Sequence, residues 1–207
     1  MKYLKMFGLA AVAAMALMAF AGAGSASATS LTCTDASGNK VDCGKRAIEA
    51  SVEGGTIKLT AGGVTITCVN GVVKGNVENA GGSTETVSGK TTEVSFTNCP
   101  SCSTVEVTNG TLEIHTDIEG VTNGNGTLTG SGFTAHLVCF GITCNYITGN
   151  NKDIGTLTGS SNLKGSTATF DISTELEKEA GSSFLCNNLA AWEGSYTITS
   201  PDWLDVD

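Results

Sequence analysis

From residue 56 almost to the C-terminus, short runs of the chain alternate apolar and polar residues. Ile57 and Leu59 share one phase, as do Val64, Ile66 and Cys68, and Ala61-Gly62-Gly63 between the two runs reads as a tight turn. Residues 91–99 put Val94 and Phe96 on one face, and residues 111–118 do the same with Leu112, Ile114 and Ile118. Phe133, Ala135, Leu137 and Cys139 form the next apolar face, then Ala168, Phe170 and Ile172, then Tyr196 and Ile198. A period of two with polar residues between is the pattern of half-buried antiparallel sheet.

The punctuation agrees with strands. Asn70-Gly71, Asn109-Gly110 and Asn125-Gly126 separate alternating segments, and Asn-Gly supplies the positive φ angles of a type I′ hairpin. Of the three, Asn109-Gly110 is the clearest, joining Val105-Glu106-Val107 to Leu112-Glu113-Ile114. Residues 45–50 and 175–180 could each make a turn or two of helix, the second also fitting a solvated charged end. The string Gly-Thr-Leu-Thr-Gly-Ser occurs at 126–131 and again at 155–160. Two copies in this chain's commonest letters read as similar strands of one sheet. The pattern predicts an antiparallel β-sandwich, with a short β-solenoid as the alternative.

Composition narrows the setting. Gly is 27 of 207 residues, well above the usual share, and charged residues are only 15%. The formal net charge is -9. So few basic residues argue against nucleic acid and anionic membranes as partners, since both require clustered Lys and Arg. Residues 1–28 have the layout of a signal peptide: Lys2 and Lys5, an apolar run over 7–21, then Ala26-Ser27-Ala28. Cleavage is expected between Ala28 and Thr29, leaving residues 29–207 as one secreted all-β domain. Ser30-Leu31-Thr32 before Cys33 is a poor lipidation signal, so the mature chain is expected to be free of the membrane.

All eight cysteines follow residue 28, and an even count in an exported chain points to disulfides. Cys99-Pro100-Ser101-Cys102 matches the redox spacing C-x-x-C, but strand-like sequence flanks it where an oxidoreductase needs a helix. A zinc site from Cys99, Cys102, Cys139 and Cys144 is likewise less favoured than disulfides. His115 and His136 take the outward phase of strands. Glu113, Asp117 and Glu119, and Glu175, Glu177 and Glu179, give carboxylates without the spacing of a hydrolytic pair. Residues 35–42 carry oxygen ligands at near-calcium spacing but fit a plain Asx turn better. No nucleophile-elbow, zinc-protease, phosphate-loop or dinucleotide motif is present in the sequence. No catalytic, cofactor or metal site is therefore expected.

The order of several short motifs is familiar. Gly-Val-Thr-Ile-Thr-Cys ends at Cys68, Val-Ser-Phe-Thr-Asn-Cys ends at Cys99, and Cys144-Asn145-Tyr146 and Phe184-Leu185-Cys186 follow. Last comes the stretch from Trp192 to Pro201. This resembles secreted proteins of high-G+C Gram-positive bacteria and, more distantly, is similar to the exported activator of alkane oxidation family. The resemblance implies export and a β fold, and it couples Cys144 with Cys186. Cys33, Cys43, Cys102 and Cys139 are additions to that pattern.

Eight cysteines allow 105 connectivities. Cys68 and Cys99 end strands that face one core, and Cys33 and Cys43 flank the Ser37-Gly38 turn. With Cys144–Cys186 from the resemblance, Cys102–Cys139 follows by elimination. The rival scheme closes Cys99–Cys102 and Cys139–Cys144 locally and joins Cys68 to Cys186. The functional expectation is a secreted, extracellular structural or binding module without catalytic activity. The alternative is a binder of a small apolar ligand or glycan, with Phe184, Trp192, Tyr196 and Trp203 lining a groove. A carbohydrate hydrolase is the third reading.

Overall fold

The computed structural model describes residues 29–52, 55–61, 64–82, 85–116, 124–160 and 167–207. The expected leader and its cleavage point at residue 28 fall largely outside them. Alternation becomes strand throughout: β1 is Thr29–Thr34, β2 Lys40–Asp42, β3 Ala47–Ser51, β4 Ile57–Ala61, β5 Val64–Cys68 and β6 Asn70–Gly82. There follow β7 Glu85–Thr97, β8 Cys102–Val107, β9 Thr111–Thr116, β10 Gly126–Ser131, β11 Thr134–Cys139 and β12 Ile142–Ile147. The chain ends with β13 Lys152–Thr158, β14 Thr169–Lys178, β15 Leu189–Ser200 and β16 Leu204–Val206.

Thirteen of these strands combine into eight long staves. β3 continues into β4, β5 into β6, β8 into β9, β10 into β11 and β12 into β13, while β7, β14 and β15 each run unbroken. Each stave pairs antiparallel with the one before it in sequence. The last then pairs with the first, Ile198 opposite Ala50 and Trp192 opposite Leu59. The result is an eight-stranded up-and-down barrel.

The expected sandwich is thus corrected to a barrel. A sandwich leaves four sheet edges, whereas pairing β15 with β3 and β4 closes the sheet on itself. Bulges at Lys74/Gly75, Val77/Asn79, Leu128/Thr129, Val138/Cys139 and Ile198/Ser200 supply the bending that closure needs. The solenoid alternative also falls, because the two Gly-Thr-Leu-Thr-Gly-Ser strings lie antiparallel in adjacent staves, Thr127 opposite Thr156. The two stretches considered for helix are strand: residues 47–50 belong to β3 and residues 175–178 to β14. In β14 every second side chain from Ile172 to Leu176 enters the core, a phase that a helix would have broken.

The three Asn-Gly pairs do not make type I′ turns, since none of the six residues has a positive φ. Their glycines serve close approach instead. A Cβ on Gly71 would fall 2.2 Å from Ile57 Cδ1, and one on Gly110 would fall 2.5 Å from the Ser131 carbonyl oxygen. Two residues that do show the hairpin signature are Phe140 (φ 53) and Gly141 (φ 78), which link β11 to β12.

Four of the five divided staves break near mid-height, and two buried threonines stitch the breaks at Gly110 and Phe133. The Thr91 hydroxyl donates to the Gly110 carbonyl (3.0 Å) and accepts from the Gly110 N–H (2.8 Å). The Thr148 hydroxyl accepts from the Phe133 N–H (3.0 Å). Without these two side chains the interrupted ladders would leave backbone groups unpaired in the interior.

One end of the barrel is covered. β1 pairs with β2, with β16 and with the end of β6, and Cys33–Cys43 ties β1 to the residue after β2. Leu31 and Leu204 from this lid reach the barrel interior. The opposite end carries the other three disulfides, Cys68–Cys99, Cys102–Cys139 and Cys144–Cys186. The pairs are those of the first scheme above, not the rival with local loops.

Candidate functional site: the apolar barrel interior

The inward phase of every stave is apolar, and the space it encloses is not fully filled. Above the lid lies a cavity of about 100 Å³ touched by side chains from all eight staves, among them Ile48, Val73, Leu112, Leu128, Leu157 and Phe170. At mid-height Trp192 meets Phe96 and Phe133 edge to face, with ring centroids 6.2 and 6.5 Å away. This aromatic waist lines a smaller cavity of about 30 Å³ with Ile66 and Leu137. Ile66 and Leu137 also line a third cavity of about 100 Å³, which reaches the open end beside Phe140, Leu185 and Tyr146. The upper two cavities are therefore continuous in their walls, and the waist divides them from the lowest.

The glycines explain how the waist fits. Gly71 faces Ile57 and Phe96, and a Cβ on Gly194 would lie 3.1 Å from the Tyr196 ring and 3.5 Å from Ile57. Side chains there would displace the rings. Below the waist Phe170 stacks on Tyr196, centroids 4.7 Å apart.

Three polar atoms in this interior lack a protein partner: the Tyr146 hydroxyl, the Trp192 indole N–H and the Tyr196 hydroxyl. Burial pushes both phenols above the ordinary tyrosine range, most strongly Tyr196, where the Trp192 indole N–H, directed at the hydroxyl outside good hydrogen-bond geometry, opposes it only in part. Trp192 stands on the wall of the middle cavity and Tyr146 on that of the mouth cavity. Such groups are costly to bury alone, and each offers a hydrogen bond to whatever enters.

The four aromatic residues expected to form a groove occupy four places. Trp192 is in the waist and Tyr196 is fully buried below it. Phe184 is 90% exposed in the loop between β14 and β15, and Trp203 lies at the lid with Lys40 4.0 Å over its ring. Sequence reasoning missed Phe96, Phe133 and Tyr146 as site residues, although the inward phase of their strands was visible.

The remaining candidates fall outside this interior. Cys99, Cys102, Cys139 and Cys144 are divided among three disulfides. His136 Nδ1 lies 2.6 Å from Asn145 Oδ1, and half-exposed His115 lies 3.8 Å from Glu113. Glu175, Glu177 and Glu179 point to solvent. Asp117 and Glu119 lie outside the described residues. Asp35 closes its own turn, accepting from the Ser37 and Asn39 N–H groups at 2.8 and 2.9 Å, which holds its carboxyl below the usual range. Among the described residues no three His, Cys, Asp or Glu side chains are grouped to hold a metal.

No protein-family model, curated protein or solved structure matches the chain. Four disulfides fit an oxidising, extracellular setting. Among the described residues no helix is long and apolar enough to cross a membrane.

Proposed function

We propose that this chain is a secreted binding module, not a catalyst, whose ligand is a small, mostly apolar molecule bearing one hydrogen-bonding group and held on the barrel axis. The observation that carries this reading is the unpartnered Tyr146 hydroxyl on the wall of the apolar mouth cavity, which adjoins the cavity beneath it that Trp192 lines. Barrels of eight strands are just wide enough to hold one small ligand. An apolar cavity of about 150 Å³ takes up benzene or xenon, so the mouth cavity of about 100 Å³ with the adjoining one of about 30 Å³ is in range of a short alkyl chain. The resemblance that the sequence motifs suggest to the exported alkane-oxidation activator family, which no family model matches, would fit such a ligand.

The test uses the mature chain with Trp203→Phe, which leaves Trp192 as its one tryptophan. Titration with 1-octanol should shift Trp192 emission with saturation, and calorimetry should show matching heat. Tyr146→Phe should weaken 1-octanol by roughly tenfold while leaving n-octane within about twofold, the worth of one buried hydrogen bond. Absence of both signal and heat with 1-octanol, benzene and n-octane would overturn the reading. Retention of a glycan in their place would transfer the role to a polar surface.

A further inference from the structure

All six large apolar side chains that the described residues leave exposed lie at the uncovered end of the barrel. They are Val64, Val69, Phe140, Phe184, Leu185 and Leu189. Val64 opens β5, Val69 adjoins the turn after β7, and Phe140 is the tip of the hairpin linking β11 to β12. Phe184 and Leu185 belong to the β14–β15 loop, and Leu189 begins β15. Scattered single residues of this kind are ordinary, but six gathered on one rim are not.

The same end is poor in charge. Residues 59–73, 94–105 and 137–151 include three of its connections and contain no Asp, Glu, Lys, Arg or His, and the fourth connection, 179–188, has Glu179 alone. The opposite end has Lys40, Asp42, Arg46, Glu78, Glu85 and Asp205. The nearest charges to the rim are on its flank: Lys178, whose Nζ donates to the Cys186 carbonyl (3.0 Å), and Glu179. In an acidic chain of net charge -9, an end whose charges are one cation and one anion at its edge is suited to meeting an uncharged surface.

Three disulfides hold the rim in shape. Cys68–Cys99 joins the end of β5 to the β7–β8 connection, Cys102–Cys139 clamps two adjacent staves, and Cys144–Cys186 pins the Phe184 loop to β12. Phe140, Leu185 and Val64 line the mouth cavity as well as the rim, so the outer apolar surface passes without interruption into the barrel. A protein covering this face would close the mouth. A lipid surface covering it would leave the mouth facing a store of alkyl chains.

We infer that the open end docks on the surface of an electrically neutral lipid layer, inserting Phe140, Phe184 and Leu185 at the level of the headgroups. The inference revises the expectation of a chain free of membranes. It rests on the ligand reading only for what passes through the mouth. Attraction here comes from apolar area and not from charge, so anionic lipid weakens docking by repelling the acidic walls.

The experiment is flotation of the mature, fully oxidised protein with vesicles of pure phosphatidylcholine, and with vesicles containing equal phosphatidylglycerol. Wild type should float with the first, float less with the second at low salt, and recover there as salt is added. The triple variant Phe140→Asn, Phe184→Ser, Leu185→Ser should lower the bound fraction on phosphatidylcholine by about tenfold or more. These side chains are 74%, 90% and 59% exposed, and Asn suits the positive φ at position 140. Phe184→Ser alone should give a smaller loss of the same sign. Failure to float with phosphatidylcholine, flotation that requires phosphatidylglycerol, or an unaffected triple variant would each overturn the inference. A wild-type dimer that the triple variant converts to monomer, without flotation, would assign the rim to a second copy and also overturn it. Titrating 1-octanol without vesicles separates the two readings: Phe184→Ser, whose side chain is off the wall of the mouth cavity, should bind it as wild type does while docking less well. Wild type that floats but ignores 1-octanol would sink the ligand reading alone.

Discussion

Two buried side chains, Thr91 and Asp205, show how differently the molecule treats polar groups it encloses. Thr91 answers both backbone groups of Gly110, where the fourth stave breaks. Thr91→Val keeps the volume and removes both bonds, so it should cost about 1–3 kcal/mol in urea unfolding, whereas Thr92→Val on the solvent side should cost little. Asp205 has no such service. It is buried in β16 with Oδ1 unpartnered, against Gly124 and Gly159. Burial and then the neighbouring Asp207 push its carboxyl up to about 6, and Lys40 opposes them weakly. The folded chain therefore holds this proton more tightly than the unfolded one, whose value is near 3.8. That contribution to stability is full below about pH 4 and is lost as pH rises through 6. Asp205→Asn should flatten the fall in melting temperature across that window. An unchanged slope would place its origin elsewhere.

Among the elements, the third stave is the one that stops short. β7 ends at Thr97, opposite Asn70, so β5 above it has β4 as a ladder partner but no strand on its other side. Cys68–Cys99 crosses that gap. Its removal by paired Cys→Ser should cost about 3–4 kcal/mol, against nearer 3 for Cys33–Cys43, whose loop of 10 is shorter than the loop of 31. The mouth should also loosen, giving stronger binding of a hydrophobic dye than the Cys33/Cys43 double variant at equal stability. Element identity was legible because alternation at Val94/Phe96, Leu112/Ile114 and Phe170/Ile172 reports a local fact, which face of a strand is wet. Connection type was not. Asn109-Gly110 reads as a hairpin from its own chemistry, but β8 and β9 lie end to end along β7, and the glycine answers to Ser131 of another stave. Phe140-Gly141, a true hairpin, lacks the asparagine that advertises one.

At the scale of the molecule, a sandwich and a barrel share the same alternation, and what separates them is whether Ile198 finds Ala50 across most of the chain. The interior site was half legible for the same reason. Trp192 and Tyr196 stand out as rare aromatics in a strand, but their joining with Phe96, Phe133 and Tyr146 depends on closure. Closure also fixes how the barrel should come apart. The halves above and below the waist share β6, β7, β14 and β15, each strand of which runs through both or borders both. Neither half can lose its ladder while the other keeps a closed one. Trp192 reports the waist and Trp203 the lid, and β1 and β16 pair with each other and with the end of β6. Unfolding by guanidinium should therefore follow one transition, with the same midpoint in Trp192→Phe and Trp203→Phe once each is corrected for its own stability by calorimetry. Leu31 and Leu204 seal the lower cavity, so a lid that opened first would flood the aliphatic face of all eight staves. An earlier Trp203 transition, separate from that of Trp192, would show instead that the lid is an independent unit resting on a barrel complete without it.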